Sequence, residues 1–426
     1  MRKVMGYAIL CGFVAGAVLV SSIAKEYQGA GAAADRSNNS AGLRTVSTGP
    51  LQIDVPFEPT AFTSASGRYS AYEVTQPNVD EPLKLQRVDT SDVHQRNSKP
   101  NARGIHLAYE LVLTNIGSAP LTLQHIEIAD GSRRNAKLIA AYEGSELEAL
   151  LAFPGRQQPE ANSNRLQLKA TERVLINLFL SFQDKKFVPA TLRHRVYTTE
   201  TVFEGPLIGT HHSQMHVLSP PLRGRNWLVM GGPGATGTTT YHRQNAYMLN
   251  GRPEAARRYA IDWVKIENGE MQSNGLANNP SYYGYGQEVL AVADGVIAVA
   301  LDGTPENVPG HVPPTQPFAA VCILCGNHVV LKLAPGQFAT YMHLQPGRLR
   351  VAKGDRVRRG QVLGLVGNSG DSFLPHLHFH VATEPGMAGQ GLPYLIERFS
   401  IIAPIGAPQL RTRELPLDGT VIDFGS

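Results

Sequence analysis

At 426 residues the chain has room for two or three folded units, and its 42% hydrophobic content can give each a core. Its 42 glycines and 29 prolines favour turn-rich β structure over helix bundles. The formal charge of +4 falls to +2 without Arg2 and Lys3, and no basic run with interleaved aromatics accompanies it, so nothing argues for nucleic acid. A mild attraction to an anionic wall or membrane surface is all that this charge supports.

The first residues read as an export signal. Arg2 and Lys3 precede an apolar run at 6–20, and small-residue cleavage sites follow at Ser22-Ile23-Ala24 or Ala32-Ala33-Ala34. Residues 1–24 are therefore expected to be a signal peptide, or a membrane anchor if uncleaved, since the run is nearly long enough to span a bilayer. Cys11 lies within it, but the bulky Leu10 before it suits a lipoprotein site poorly. No later segment is apolar enough to cross a membrane, so the rest is expected to be periplasmic or extracellular. Residues 25–47, rich in Gly, Ala and Ser, read as a flexible linker.

From 48 to 218 the pattern has period two. Leu107, Tyr109, Leu111 and Leu113 alternate, and Asn115-Ile116-Gly117-Ser118 then supplies turn chemistry. Leu121 and Leu123 are out of phase with Ile126 and Ile128, which predicts a bulge near His125. Val174, Ile176, Leu178, Leu180 and Phe182 continue the alternation. Short strands, polar turns and no helical period predict an immunoglobulin-like sandwich. His94, His106, His125 and His194 are scattered and read as surface or packing residues, while the His211-His212 pair lies in a linker.

Ser219-Pro220-Pro221 marks a boundary. The glycine-rich 231–237 stretch lacks the Gly-Lys-Ser/Thr end of a phosphate-cradling loop, and no amphipathic helix follows it. Residues 225–405 read as a second β unit, and 406–426 as an extended segment packed back on it. In 259–264 the strand pattern puts Asp262 on the face opposite Tyr259, Ile261 and Trp263. Asp294-Gly295 reads as a hairpin turn between two apolar runs, and Pro335-Gly336 as another. Residues 304–317 form a Pro-rich surface loop. Cys322 and Cys325 lack the second pair that a zinc ribbon needs; in an oxidising compartment they close a small disulfide loop or stay as two thiols.

The densest chemistry is Pro375-His376-Leu377-His378-Phe379-His380, a strand whose three imidazoles share one face. A catalytic zinc needs about three His or carboxylate ligands and one position left to water, which it acidifies. Asp262, His343, His376, His378 and His380 are candidates, with His242 and His328 beside them.

Here the residues resemble a known family. Gly286-Gln287-Glu288-Val289-Leu290-Ala291-Val292-Ala293-Asp294-Gly295-Val296 is similar to a turn-and-strand signature of the lysostaphin/LytM-type zinc metalloendopeptidases. So are Tyr341-Met342-His343-Leu344, Gly354-Asp355-Arg356-Val357 with Gly360-Gln361, and Gly367-Asn368-Ser369-Gly370 ahead of the histidine strand. The resemblance spans roughly 225–400. It implies an all-β fold, with an antiparallel sheet of the duplicated-hybrid-motif type following the sandwich, and one Zn2+ per chain. It implies that His378 and Asp262 bind the metal and that His343 and His376 are catalytic, holding the attacking water and the developing oxyanion.

One position departs from the pattern. The first zinc histidine usually stands four residues before the aspartate, where this chain has Arg258, and a guanidinium cannot replace it. Some relatives, the β-lytic type among them, place that histidine further upstream. His242 is the one histidine between the boundary and Asp262, so it is assigned as the third ligand. His380 reads as a support for His378 or a core neighbour, and Asn327 and His328 receive no role. The expected function is an exported zinc metalloendopeptidase acting on peptidoglycan peptides or protein. The rival is an inactive module of the same scaffold that binds or regulates another wall hydrolase. A lipoyl- or biotin-carrier hairpin at 354–367 is set aside because no lysine occupies its tip. The oligomeric state is not legible.

Overall fold

The computed structural model describes residues 44–425 except 57, 66–69, 76–83, 90–102, 133–137, 155–163, 212–214, 235–240, 245–246, 250–251, 274–277, 312–323 and 403–406. The export segment, most of the expected linker, His94, His212 and Cys322 lie outside the described residues. No helix among those described is long and apolar enough to cross a membrane.

The fold is all-β. Two six-stranded sheets lie N-terminal in sequence. In the first, Arg103–Asn115 pairs with Leu51–Val55, Phe62–Ala65 and Arg173–Phe182, and the chain enters this sheet at Arg44, inside the expected linker. The second is built on Leu121–Asp130 and Thr191–Thr198. Their apolar faces share one core, with Leu107, Leu111, Leu113, Ile176 and Leu178 on one side and Leu123, Ile126, Ile128, Leu192 and Val196 on the other. The phase slip has its cause in the register: Tyr197 faces His125 but Thr198 faces Leu123, so Gln124 is the extra residue. A helical turn at Gly144–Leu150, which the period-two reading missed, buries Leu147 against this core.

The described histidines on the strands of these two sheets are packing residues. His106 lies between Ser64 Oγ at 2.7 Å and Ser181 Oγ at 2.9 Å, and buried His194 meets Tyr109 Oη at 2.8 Å. His125 stacks on Tyr197 with ring centroids 3.8 Å apart.

The third sheet has eleven strands. Its middle runs Trp227–Met230, Ile261–Lys265, Leu377–Ala382, Gln337–Leu344, Asn327–Ala334, Gly295–Leu301, all antiparallel neighbours. His216–Leu218 adds a parallel edge beside Tyr394–Ile401. The tail is part of the sheet: Gln409–Glu414 pairs with Tyr394–Ile401, and Val421–Asp423 lies between that strand and Trp227–Met230. One face carries a large apolar core that includes Tyr259, Ile261, Trp263, Tyr341 and Phe379, and Phe62 and Ala108 of the first sheet join it.

One expected hairpin is corrected. Glu288–Leu290 pairs with Val362–Leu365, while Gly295–Leu301 pairs with Asn327–Ala334, so Asp294-Gly295 joins two sheets. Neither residue has the positive φ that a type I′ turn demands. Glycine is needed there for another reason: a Cβ on Gly295 would stand 2.6 Å from the Lys332 carbonyl. The second hairpin, around Pro335-Gly336, forms, with Gly336 at φ 65°.

Candidate metal centre

The sheet puts the central pair together by register. Asp262 on Ile261–Lys265 is the direct partner of His378 on Leu377–Ala382. Odd residues of both strands (Ile261, Trp263, Leu377, Phe379) enter the apolar core, so the even ones face the opposite side, at the foot of a buried polar site. Asp262, His242, His343, His376 and His378 are each no more than 5% exposed.

His343 requires a distortion. Its neighbour Met342 is the partner of His378, so an unbroken pleat would turn His343 to the other face. Instead Met342 and His343 together oppose His328, and His343 adopts φ 65°. The bulge re-aims the ring to 4.8 Å from that of His376 and 5.8 Å from that of His378, centroid to centroid. The left-handed conformation costs an L-residue about 1–2 kcal/mol, which the surrounding contacts must offset. His343 N donates to the Cys325 carbonyl at 3.1 Å and its Nδ1 to the Ser369 carbonyl at 2.8 Å. Ser369 can come so close because the loop crosses at glycines: a Cβ on Gly370 would lie 2.3 Å from Gly326 N.

Hydrogen bonds fix the tautomers. His242 Nδ1 donates to the Gly231 carbonyl, and His376 Nδ1 to the Leu374 carbonyl, each at 2.8 Å. His380 Nε2 donates to the Gly386 carbonyl at 2.8 Å, so its Nδ1 accepts from His378 Nε2 at 3.0 Å. What remains is a ring of lone pairs around Asp262 Oδ1: His378 Nδ1 at 2.8 Å, His242 Nε2 at 3.2 Å and His376 Nε2 at 3.4 Å. Acceptor facing acceptor in a buried site repels unless a proton or a cation lies between them. The charges respond accordingly. Burial would raise the Asp262 pKa, but His242 and His376 outweigh it and hold the carboxyl well below its usual range. Burial would lower the His376 pKa, and Asp262 raises it instead. Burial, with His376 nearby, pushes His343 down to about 3.

Among the described residues, one group has metal-ligating potential: His242, Asp262 and His378, whose ligand atoms all lie within 4.8 Å of one another. Two neutral imidazoles and one carboxylate fit zinc with a position left for water. The five residues given a role in the sequence reading, His242, Asp262, His343, His376 and His378, thus meet at one place. Arg258 is absent from it; its side chain turns away and pairs with Glu110. The sequence did not reveal how His378 is oriented, because the Gly386 carbonyl that anchors His380 carries no side-chain signature. Cys325 is buried beside Met342 and Met387.

Residues 282–388 match peptidase family M23, a span that includes His343, His376 and His378 and begins after His242 and Asp262. A segment of 56 residues is 41% identical to the peptidoglycan DD-endopeptidase ShyA of Vibrio cholerae serotype O1, covering 13% of this chain and 13% of that protein. Solved structures with similarity include the catalytic domain of the prophage-encoded M23 protein EnpA from Enterococcus faecalis, at 21% identity over 43% of this chain and 91% of that one, TM-score 0.20. Lysostaphin's catalytic domain from Staphylococcus simulans matches at 21% identity over 37% and 76%, TM-score 0.19.

Proposed function

With residues 282–388 in peptidase family M23, we propose that this chain is an exported zinc metalloendopeptidase that cuts peptide bonds in peptidoglycan. The observation that carries the reading is the ring of nitrogen lone pairs from His242, His376 and His378 closed around one buried carboxylate, with the His343 imidazole beside it. His242 Nε2, Asp262 and His378 Nδ1 would hold the ion. A zinc there supplies Lewis-acid polarisation of the scissile carbonyl and an acidified water. His343 and His376 each commit Nδ1 to a backbone carbonyl, which leaves Nε2 to take a proton from the attacking water or to donate one to the oxyanion. Burial excludes bulk water and strengthens these contacts. Export rests on the basic and apolar opening of the chain, and the wall substrate on the ShyA match. An inactive regulatory module would be expected to have lost part of this set, whereas all five groups are in place.

The test is metal analysis of purified protein, wild type beside His242→Ala, with peptidoglycan digestion by both. The expected result is one zinc per wild-type chain with released stem or cross-link peptides, and in the variant a weakened site that carries little zinc through purification and no digestion. Wild-type protein without metal refutes the enzyme reading; zinc retained by His242→Ala removes that residue from the ligand set.

A further inference from the structure

His242 is held unlike the other ligands. Asp262 and His378 sit in strands whose ladders fix them from both sides. His242 sits in a single helical turn, Tyr241–Gln244, far too short to be stable by itself. Its position therefore depends on tertiary contacts, and several of these go to the N-terminal sheet. The neighbouring Arg243 sends Nη2 to the Tyr109 carbonyl at 3.1 Å and the Leu178 carbonyl at 2.9 Å. These two residues are register partners on paired strands. Asn177 Nδ2, one position along, donates to the Arg243 carbonyl at 3.2 Å. The Glu110 carboxylate opposite Asn177 lies 3.5 Å from Arg243 Nη2.

The same carboxylate receives Arg258. Its Nε lies 3.0 and 2.8 Å from the two Glu110 oxygens, Nη2 donates to Oε2, and Nη1 reaches the Gly391 carbonyl at 3.1 Å. Both side chains are at most 2% exposed. Tyr259 Oη donates to the Ala108 carbonyl at 3.1 Å. The residue in the usual ligand position thus anchors the second unit to the first, and the substitute ligand hangs on the same anchor.

We propose that the Arg103–Asn115 and Arg173–Phe182 strands are part of the metal centre's support: Arg243, Asn177 and Glu110 are positioning residues that place the His242 imidazole over Asp262. This rests on the zinc reading above. A pair of charges this buried is costly to break, so the joint is fixed rather than sliding. Outer contacts of this kind change metal affinity by roughly 10- to 100-fold.

The experiment measures zinc affinity of the full chain by chelator competition, and the visible spectrum of the cobalt-substituted protein, for wild type, Arg243→Met, Asn177→Ala, His242→Ala and the Arg243→Met/His242→Ala double variant. Arg243→Met is expected to weaken zinc binding at least about 10-fold and to shift the cobalt spectrum toward that of His242→Ala. In the His242→Ala background the same change is expected to add nothing, because its effect passes through His242. Asn177→Ala, which leaves every charge in place, is expected to give a smaller loss in the same direction and decides the matter if Arg243→Met does not fold. Wild-type affinity in Arg243→Met, or in a folded Asn177→Ala should Arg243→Met not fold, overturns the proposal while leaving the zinc reading intact. So does an equal loss with and without His242. A wild type that binds no metal removes both.

Discussion

His380 shows how a residue outside the proposed ligand set can decide whether one of those ligands would work. By donating Nε2–H to the Gly386 carbonyl it keeps Nδ1 as an acceptor, and that acceptor holds the proton of His378 on Nε2. The lone pair on His378 Nδ1 is then free to face Asp262. In His380→Leu the acceptor vanishes, and a buried N–H either goes unpaired or moves to Nδ1 and blocks the ligand atom. Zinc affinity measured by competition is expected to fall roughly 10- to 100-fold, with the protein still folded. The alternation Pro-His-Leu-His-Phe-His made the strand and its shared face legible. The split of roles along it was not, because it depends on a backbone carbonyl and on whether a ring offers Nδ1 or Nε2. His343 was legible only as part of a resemblance. Simple pleating would send it to the wrong face, and the bulge that corrects this leaves no mark in composition.

At the scale of elements, two glycines let the 367–372 loop cross the start of the Asn327–Ala334 strand and present Ser369 to His343. Gly370 has φ 79°, and an added Cβ would meet Gly326 N at 2.3 Å and the Leu324 carbonyl at 2.7 Å. Gly370→Ala therefore combines a left-handed penalty with a clash against backbone that cannot rotate away. It is expected to cost about 2–4 kcal/mol in urea unfolding. Turnover should fall more than zinc content, since His343 loses its brace while His242, Asp262 and His378 keep theirs. The Gly-Asn-Ser-Gly motif advertised a turn but not what it leans on. The Asp294-Gly295 error has the same root: glycine marks close approach as readily as reversal, and only the neighbouring strand tells which. The Gly144–Leu150 turn was missed although Glu146, Leu147, Glu148 and Ala149 all favour helix, because seven residues between strands give the 3.6 period too little length.

Taken whole, the molecule has a buried histidine outside the proposed metal centre that makes its stability sensitive to acid. His194 is fully buried against Tyr109, and burial lowers its pKa from 6.5 to about 3. Above pH 6.5 it is neutral both folded and unfolded, and its contribution is constant. Below that the unfolded chain takes up a proton that the folded one refuses, so stability falls with pH until about 3. The slope from this residue is about 1.4 kcal/mol per pH unit. Between pH 7 and pH 5 the wild type is expected to lose about 2 kcal/mol more than His194→Gln, as read by paired urea titrations. An equal loss in both proteins would show that the residue does not carry the effect.

The place of Val421–Asp423 has a consequence for biosynthesis. This strand is hydrogen-bonded to Trp227–Met230 on one side and to Tyr394–Ile401 on the other, two segments far apart along the chain. Ribosomes make proteins from the N-terminus, so the strand that joins those two segments emerges after both of them. All five histidine and aspartate groups are translated before the sheet can gain this strand. A nascent chain arrested short of residue 421 would carry all five groups while Trp227–Met230 and Tyr394–Ile401 still lacked the strand that joins them.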